Sequence, residues 1–402
     1  MGKRNGKENL KVWVFLLLMA FVVTSGGCGG SSDDSVFAGG GGTSADPWRI
    51  ATVGQLEQVR NHLDGYFVLT DDIDLSSYSN WTPIGEFVPA PDGDGETPVM
   101  DLTFTGVFDG GGHKISNVTA VHPESSGVGL FGCIAGDSVS IKNLTVENVK
   151  VEGTMLVGGV VGYGSEGVVR DVRLTGDNTI KGGNMAGGMG GMVGGIVGGS
   201  FCDIVGCEAQ ADVVLSGNNS QVVGVLAGGM EDCAIADCSA KGSVTVTGTG
   251  SIGIGGLAGC SFSQKVENCT SDVVMTVGDG NRLIGGLLGY AGAGSGEPTV
   301  ISNCSAAAVI TAPNTAERIG GIVGGGFFVQ EYREYRPEPG AIRVTNCQTS
   351  GEINGGSIVG SILGYAYNNS SAEGCTSDMK VNGAAAEQVG ATLDDVTLDD
   401  LR

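Results

Sequence analysis

A short phrase of glycines around two apolar residues recurs eight times along this chain. It reads GLFG at 129–132, GGVVG at 158–162, GGIVG at 194–198, GVLAG at 224–228, GGLAG at 255–259, GGLLG at 285–289, GGIVG at 320–324 and GSILG at 360–364. The closing glycines of successive phrases are 30, 36, 30, 31, 30, 35 and 40 residues apart. A near-constant period of about 30 residues is typical of a repeat architecture, in which each unit buries its apolar face only against its neighbours.

Each repeat consists of the glycine phrase, a short strand ending in Asn-Cys, and a second alternating run. In one unit these are IGGLAGC (254–260), KVENC (265–269) and SDVVMTVG (271–278). Runs rich in Val and Ile between Gly, Asn, Asp and Ser indicate strands, and a helical period is almost absent from about residue 104 to 380. We therefore predict an all-β fold, a right-handed parallel β-helix of about eight to ten coils with three strands per coil. Glycines at its corners would supply positive φ or close backbone approach.

The glycine phrase followed by Asn-Cys resembles the GLUG repeat of bacterial surface proteins, which also occurs in non-catalytic stretches of some immunoglobulin-A-cleaving metallopeptidases. The segments ADPWRIATVGQLEQV (45–59), YFVLTDDIDLSSYSNWTPIG (66–85) and FTGVFDGGGHKISNVT (104–119) resemble the usual lead-in to a GLUG array. The resemblance covers about residues 45–380. It implies a solenoid at a bacterial surface and specifies no activity.

The first 27 residues have the pattern of an export signal. Basic residues precede an apolar run of 12 residues, 12–23, which is shorter than the roughly 20 residues of a membrane span. A Ser-Gly-Gly sequence stands before Cys28, which resembles a lipobox, so we predict cleavage there and lipidation of the Cys28 thiol. Ordinary signal cleavage is the alternative. The predicted organisation is a signal peptide at 1–27, a lipid-anchored flexible tether at 28–44, a cap with lead-in coils at 45–127, the GLUG β-helix at 128–383 and an acidic end at 384–402.

Residues 52–63 are predicted to form a short capping helix at the N-terminal end of the solenoid. Thr52 and Gln55 make a capping box, and Leu56, Val59 and Leu63 share one helical face. Such a cap covers the unpaired backbone groups that the first coil would otherwise expose.

Charge limits the range of partners. From Cys28 on, the chain has 17 Lys and Arg residues and 43 Asp and Glu residues, a net charge of −26. This balance disfavours nucleic acids and anionic membrane surfaces, so that the predicted membrane contact is the lipid anchor alone.

Six cysteines occupy one repeat position, which Leu144 takes in the first unit. We predict that they form an inward-facing ladder of thiols, one per coil: Cys207, Cys238, Cys269, Cys304, Cys347 and Cys375. In an exported chain the better disulfide candidates are Cys202 with Cys207 and Cys233 with Cys238, each pair five residues apart across a turn. Zinc is not predicted, because the ladder has no CxxC pair and no nearby histidine.

Motifs for catalysis or cofactor binding are missing from the sequence. The three histidines, His62, His113 and His122, form no HExxH pair, and neither GxSxG nor GxxxxGK[ST] occurs. The segment 92–96 alternates acidic residues with glycine, as a calcium-binding loop can, but it lacks the spacing of an EF-hand. We predict a protein without enzymatic activity, cofactor or metal.

A polysaccharide lyase or glycosidase on the same fold is the main alternative. Such an enzyme needs clustered carboxylates in a groove. The acids of the coils instead occur singly, each beside the Asn-Cys position: Asp171, Asp203, Asp237 and Glu267.

An insertion in the seventh unit is the strongest candidate for ligand contact. The segment GGFFVQEYREYRPEPGAIR (325–343) is rich in aromatic residues and arginines, which are enriched at binding hot spots. The predicted contact residues are Phe327, Phe328, Tyr332, Arg333, Tyr335 and Arg336. The alternative is a β-hairpin that packs these aromatic side chains on neighbouring coils.

Together these features predict a surface-exposed lipoprotein of the bacterial cell envelope. It would act as an adhesin or binding scaffold for an extracellular glycan or protein, through the loops 86–101 and 325–343. A structural component of the envelope is a further alternative.

Overall fold

In a computed structural model the chain forms a β-solenoid of about eight turns with one short helix, which confirms the predicted fold class. The structure describes residues 36–88, 100–183, 191–219, 222–262, 265–292, 298–326, 341–366 and 370–392, and the statements below refer to these. None of the helices among them is long and apolar enough to cross a membrane. The predicted signal segment, Cys28 and the last ten residues of the acidic end lie outside the described residues.

Helix α1 is Val53–Gln58, followed by a 3-10 turn at Val59–Asn61, and another 3-10 turn is Met100–Leu102. The strands of the first half are β1 Trp48–Ile50, β2 Tyr66–Leu69, β3 Ile73–Asp74, β4 Val107–Asp109, β5 Lys114–Ser116, β6 Thr119–Val121, β7 Phe131–Ile134, β8 Ser140–Glu147, β9 Lys150–Gly153, β10 Val157–Gly158, β11 Val161–Gly164, β12 Val168–Thr175, β13 Thr179–Gly182, β14 Met192–Gly194, β15 Val197–Ser200, β16 Asp203–Val205, β17 Glu208–Leu215, β18 Val222–Gly224 and β19 Ala227–Glu231.

The strands of the second half are β20 Ile235–Ala236, β21 Ser239–Val246, β22 Ile252–Gly255, β23 Ala258–Phe262, β24 Lys265–Glu267, β25 Thr270–Val277, β26 Arg282–Gly285, β27 Leu288–Ala291, β28 Thr299–Ser302, β29 Ser305–Thr311, β30 Glu317–Gly320, β31 Val323–Gly326, β32 Ile342–Thr345, β33 Gln348–Asn354, β34 Ser357–Gly360, β35 Leu363–Ala366, β36 Ser371–Glu373, β37 Thr376–Ser377, β38 Lys380–Val381, β39 Ala384–Ala385 and β40 Val389–Thr392.

These strands form three sheets, of which the two smaller ones begin at β7 and β10. The seven-stranded sheet contains β10, β14, β18, β22, β26, β30 and β34, and the nine-stranded sheet contains β7, β11, β15, β19, β23, β27, β31, β35 and β40. The other 24 strands make the large sheet. The described strand pairs are parallel apart from β38 with β39. The predicted right-handed sense of the coils stays a prediction.

A regular coil contains four strands, so the prediction of three was wrong. β20 and β21 lie in the large sheet, β22 in the seven-stranded sheet and β23 in the nine-stranded sheet, and the next coil repeats this order. The additional strand comes from the glycine phrase. Three strands per coil count the phrase as one strand, but its glycines turn the chain sharply, so that its two halves belong to different sheets.

Close backbone approach explains the glycines of the phrase. A Cβ atom on Gly255 would lie 1.8 Å from the carbonyl oxygen of Ala258, and one on Gly320 would lie 1.9 Å from that of Val323. Neither glycine has a positive φ. Of the two reasons that the sequence suggested for glycine, steric room is therefore the one that applies at this corner.

The Asn-Cys pair is a second tight corner, between the two strands that each coil adds to the large sheet. The residue before the ladder position has φ between 51° and 66° in each unit, and it is Asn143, Asp171, Gly206, Asp237, Asn268, Asn303, Asn346 or Gly374. Only Gly, Asn and Asp adopt this left-handed conformation readily. The next residue then points into the core, which accounts for a polar residue followed by an apolar one.

The N-terminal end of the solenoid is capped much as the sequence indicates. Thr52 Oγ1 accepts a hydrogen bond from the Gln55 N–H at 3.3 Å, and Gln55 Oε1 accepts one from the Ala51 N–H at 2.8 Å. Leu56 and Val59 are fully buried in the core. The predicted apolar helix face is thus present, with Leu63 partly buried, while the Gln55 side chain caps Ala51 instead of completing the capping box at Thr52.

The described part of the predicted tether packs on the first coil. The Ala38 N–H donates to the Arg49 carbonyl at 2.9 Å, and the Arg49 N–H donates to Gly39 at 2.8 Å. Phe37 is 4% exposed and stacks on Trp48 with ring centroids 4.9 Å apart. Its glycine-rich composition indicated flexibility, but a buried aromatic side chain and backbone pairing to β1 hold residues 37–39 in place.

Candidate functional site

Two of the four corners in each coil vary in length. The glycine corner and the Asn-Cys corner each leave two residues between strands in every regular coil. The corner from the nine-stranded sheet to the large sheet, here called the loop corner, ranges from two residues at 201–202 to fifteen at 327–341. The corner from the large sheet to the seven-stranded sheet, the second variable corner, is longest at 183–191. The predicted contact loop is therefore the longest loop corner, and its six named residues lie outside the described residues.

Aromatic residues distinguish the loop corner from the second variable corner. After Phe131, every aromatic residue either follows a closing glycine by one or three positions or belongs to the 325–343 insertion. They are Tyr163, Phe201, Phe262, Tyr290, Phe327, Phe328, Tyr332, Tyr335, Tyr365 and Tyr367. The spacing of these residues after each closing glycine is the sequence signal for this edge, which the glycine phrase alone does not give. It concentrates aromatic side chains along one edge of the solenoid.

The aromatic residues nearest the closing glycines take part in a second apolar layer outside the main core. Outward-facing positions of the nine-stranded sheet pack against those of the seven-stranded sheet, and we call this layer the outer spine. The nine-stranded sheet contributes the column Cys133, Tyr163, Gly199, Gly229, Cys260, Tyr290, Gly325 and Tyr365. The seven-stranded sheet contributes Leu156, Met192, Val222, Gly253, Leu283, Arg318 and Ile358.

Large and small residues alternate across the outer spine. A Cβ atom on Gly253 would lie 2.6 Å from the Tyr290 ring, and one on Gly199 would lie 2.8 Å from Met192 Sδ. Tyr290 is 7% exposed and Leu283 is 2% exposed. Close packing of this kind needs a small residue wherever the opposite column has a large one.

Phenylalanines extend this layer to the loop corner. The ring of Phe201 packs edge-on against Tyr163 at 6.3 Å, and Phe262 packs against Tyr290 at 5.5 Å. Phe87, at the base of the predicted contact loop 86–101, packs on Tyr163 at 5.0 Å. Residues 89–99 of that loop lie outside the described residues.

A shallow groove opens at the loop corners of the first three units. It has a volume of about 430 Å³ and is lined by Asp137, Glu166, Gly167, Val168, Arg170, Phe201 and Asp203. The expectation that the acids stand singly fails here, because the coils bring Asp203 into one groove with two acids from neighbouring loop corners. One Asp203 oxygen accepts the Ala234 N–H at 2.8 Å, which gives this carboxylate a structural role as well. Within the described ranges, no group of three or more His, Cys, Asp or Glu residues could hold a metal ion.

The other acids of the coils lie apart from this groove. Asp237 and Asn268 stack at the exposed Asn-Cys corner, where Asn268 Nδ2 donates to Asp237 Oδ1 at 3.0 Å and Asn303 Nδ2 donates to Asn268 Oδ1 at 3.4 Å. Asp171 occupies the same column, and Glu267 forms an ion pair with Lys265 at 2.6 Å. These contacts stabilise the corner.

The ladder cysteines lie one above another along the core. The Cys269 N–H points at Cys304 Sγ at 3.4 Å, and the Cys304 N–H points at Cys347 Sγ at the same distance. Cys375, in the last coil, is partly exposed, whereas the other five are buried.

The ten described cysteines are free thiols, so the proposed pairs Cys202–Cys207 and Cys233–Cys238 are not bonded. Strands β16 and β20 run between the members of each pair. Five extended residues separate Cα atoms by roughly 15 Å, beyond the 7 Å or so that a disulfide permits. Burial raises the pKa of Cys202 to about 12 and of Cys260 to about 11, which keeps both thiols protonated at neutral pH.

The histidines make local contacts around the first coils. His122 Nε2 lies 2.8 Å from the Trp81 carbonyl oxygen, and His113 Nδ1 lies 3.3 Å from Asp72 Oδ1. His62 packs on the Trp48 ring at 4.6 Å. The three residues belong to separate contacts and form no common site.

The chain is similar to parts of two curated proteins. It is 34% identical over 155 residues to Halomucin of Haloquadratum walsbyi, a match that covers 36% of this chain and 2% of that protein. It is 32% identical over 136 residues to a "Putative Gly-rich membrane protein" of Evansella cellulosilytica, covering 32% of this chain and 14% of that protein. The chain thus spans a small part of the length of both relatives.

Among solved structures, the chain is similar to the crystal structure of a "putative immunoglobulin A1 protease" from Bacteroides ovatus. The two share 20% identity with a TM-score of 0.40, over 89% of this chain and 87% of the other. No protein-family model matches the chain.

Proposed function

We propose that this chain is a cell-surface binding scaffold of the GLUG type, which holds an extracellular glycan or protein and has no catalytic activity of its own. The two curated relatives, a halomucin and a protein named as a membrane protein, support a place in the cell envelope. The lipobox-like sequence before Cys28 supports a lipid anchor there.

The observation that carries this proposal is the coincidence of three features at the loop corner. Its length varies most, the aromatic residues of the coils concentrate beside it, and the groove at Asp137 and Glu166 opens on it. Inserted loops on one edge of a solenoid commonly carry recognition, because the stacked coils hold them on a rigid support. The proposed contact residues are those of the 325–343 insertion.

A binding screen with a matched pair of loop replacements tests this proposal. The protein is screened against extracellular glycans and proteins, and again with 327–339 replaced by a Gly-Ser linker. The control replaces 184–190, at the second variable corner, with a similar linker. We expect the first replacement to abolish binding and the control to retain it. Equal binding by both variants would exclude the segment 327–339 as the contact.

The anchor has its own test. Cys28→Ser should release the protein from the membrane fraction of the producing cells and abolish incorporation of a labelled fatty acid. Unchanged fractionation, together with a mature N-terminus downstream of residue 28, would show ordinary signal cleavage instead.

The groove favours one second candidate, a glycan-cleaving enzyme on the same fold. Asp137, Glu166 and Asp203 could act as acid and base, and Arg170 could hold or activate a sugar, as such mechanisms require. Release of reducing ends or unsaturated products from a polysaccharide panel, lost in Glu166→Gln, would establish this activity. If the wild type releases no product, the binding role remains as the proposal.

A further inference from the structure

One charged residue interrupts the outer spine. At the position that Leu156, Leu283 and Ile358 take in other coils, the seventh unit has Arg318, whose guanidinium lies 5.2 Å from the centre of the Tyr365 ring. Its Nε and Nη2 atoms are buried and have no hydrogen-bond partner. A buried guanidinium nitrogen without a partner is costly, and such exceptions in a folded protein call for an explanation, such as a missing ion or ligand.

The backbone does not require arginine at this position. Arg318 has a φ of 60°, and Leu156, Leu283 and Ile358 have φ values of 53°, 58° and 56°. The same left-handed turn therefore forms with an apolar side chain, which would also fill the spine without any loss of hydrogen bonds. The arginine costs stability where leucine would not, so it serves something other than the fold.

A second arginine lies on the neighbouring strand. Arg282, on β26, is the neighbour in register of Glu317 on β30, the residue before Arg318. Burial chiefly lowers the pKa of Arg318, and the positive charge of Arg282 lowers it further, while Glu317 acts in the opposite direction. Among the ion pairs of the described residues, neither arginine takes part.

We propose that Arg318, with Arg282 beside it, binds a carboxylate or sulfate group carried by a polysaccharide. A guanidinium offers a planar fork of donors that matches such oxyanions, and its affinity rises where the surroundings exclude water. Arg318 is half-buried as a residue, and its guanidinium lies over the Tyr365 ring. The acidic surface elsewhere does not prevent local binding, because charges are screened beyond about 8 Å at physiological salt.

The arrangement favours a glycan over an acidic peptide. β30 is hydrogen-bonded to β26 on one side and to β34 on the other, so that no strand edge is free for an added peptide strand. The substituent of a sugar chain can reach the guanidinium without such pairing. This inference rests on the proposed function, because the site would serve a binding protein at the cell surface. The binding of anions by Arg318 can be tested separately from that function.

The test compares Arg318→Leu with Arg173→Leu, which removes the same charge from an exposed position on β12. Leucine occurs at the equivalent position in two other coils, and Arg318→Lys serves as a second variant that keeps the charge without the fork. Sodium sulfate and sodium chloride are compared at equal ionic strength. At low concentration, where the general stabilising effect of sulfate is small, we expect sulfate to raise the Tm of the wild type and of Arg173→Leu more than that of Arg318→Leu, with an intermediate shift for Arg318→Lys. An equal shift in all four proteins would overturn the proposal.

Polymers then identify the ligand class. Oligogalacturonate should bind the wild type at least ten-fold more tightly than Arg318→Leu, whereas dextran should not distinguish the two. Equal affinity for poly-glutamate would overturn the assignment to a glycan, and a sulfate effect without oligogalacturonate binding would reduce the site to an adventitious anion site. If ligand binding needs the 325–343 insertion but not Arg318, this inference is overturned and the proposed function is retained. A sulfate shift in a protein that the screen finds to bind nothing would count against the proposed function.

Discussion

At the residue scale, two different backbone constraints fix residues of the repeat, one steric and one conformational. Gly255 leaves room for the Ala258 carbonyl, and Asn303 turns the chain with a φ of 54°. The demands are different, because the first is a contact between two stretches of chain and the second is local. The sequence shows both residues at fixed positions, yet only the second can be assigned from residue type alone, since Asn and Gly share a preference for positive φ.

Gly255→Ala should lower the free energy of unfolding by about 3 kcal/mol, since the added Cβ would lie 1.8 Å from a backbone oxygen and the coil must shift. The control is Gly54→Ala in α1, where nothing lies within 4 Å of the new atom and alanine favours the helix. Urea unfolding measures both. If the two variants had the same midpoint, close approach at the glycine corner would not be the reason for glycine.

Because two buried thiols have raised pKa values, we predict that the protein loses stability at high pH. Burial raises the pKa of Cys202 to about 12 and of Cys260 to about 11, above the value of about 8.5 expected in the unfolded chain. Because the folded state holds these protons more tightly, the free energy that the two protonated thiols contribute to folding is complete below about pH 8.5. It is lost as the pH rises towards the pKa of the folded state. At pH 10 each thiol should cost about 2 kcal/mol relative to pH 8.

Urea midpoints at pH 8 and pH 10 measure this effect in the wild type and in Cys260→Ala. The variant should lose less stability between the two pH values than the wild type, since one ionisable thiol is gone. An identical loss in both proteins would show that lysines or tyrosines, and not the buried thiols, control the alkaline limit.

At the element scale, the sequence predicts the coil better than it predicts the faces outside the core. The sequence shows the 30-residue period, the Asn-Cys pattern and the α1 cap directly, because each depends on local residue chemistry. The outer spine is not, since Gly253 and Tyr290 come from neighbouring coils and meet only after two sheets fold towards each other. The groove escapes prediction for the same reason, because Asp137, Glu166 and Asp203 are far apart in sequence and adjacent only through stacking.

Residues 36–42 cover the outer edge of β1, and their removal tests whether they protect this edge. Without them, the Arg49 backbone groups that now bond to Ala38 and Gly39 would be exposed at the edge of β1. Exposed strand edges favour pairing between chains, so the truncated protein should form oligomers that light scattering detects. Phe37→Ala, which keeps the backbone bonds, should stay at the size of the wild type. A truncated protein of unchanged size would show that this segment does not protect the edge.

At the scale of the whole chain, charge and stacking act against each other. Each coil is stabilised by its two neighbours, and the full chain carries a net charge of −23, which opposes a compact arrangement. The repeat period predicts the stacking. The location of a binding edge required the structure, because it depends on which corner of each coil lies next to the aromatic residues.

Salt should therefore stabilise the protein. Raising NaCl from 10 to 150 mM shortens the screening length from about 30 to about 8 Å and should raise the Tm, while a further rise to 1 M should add less through screening. Thermal melts at constant pH measure this dependence. A Tm that falls over the first interval would mean that ion pairs such as Lys114–Glu147 outweigh the general repulsion.

The most direct test of the proposed binding edge is a hydrogen-exchange map of the solenoid, measured with and without the ligand that the binding screen identifies. We predict slower exchange at the loop corners, including 135–139, 165–167 and the 325–343 insertion, and no change on the outward face of the large sheet. Protection confined to outward residues of β21, β25 and β29 would contradict this prediction.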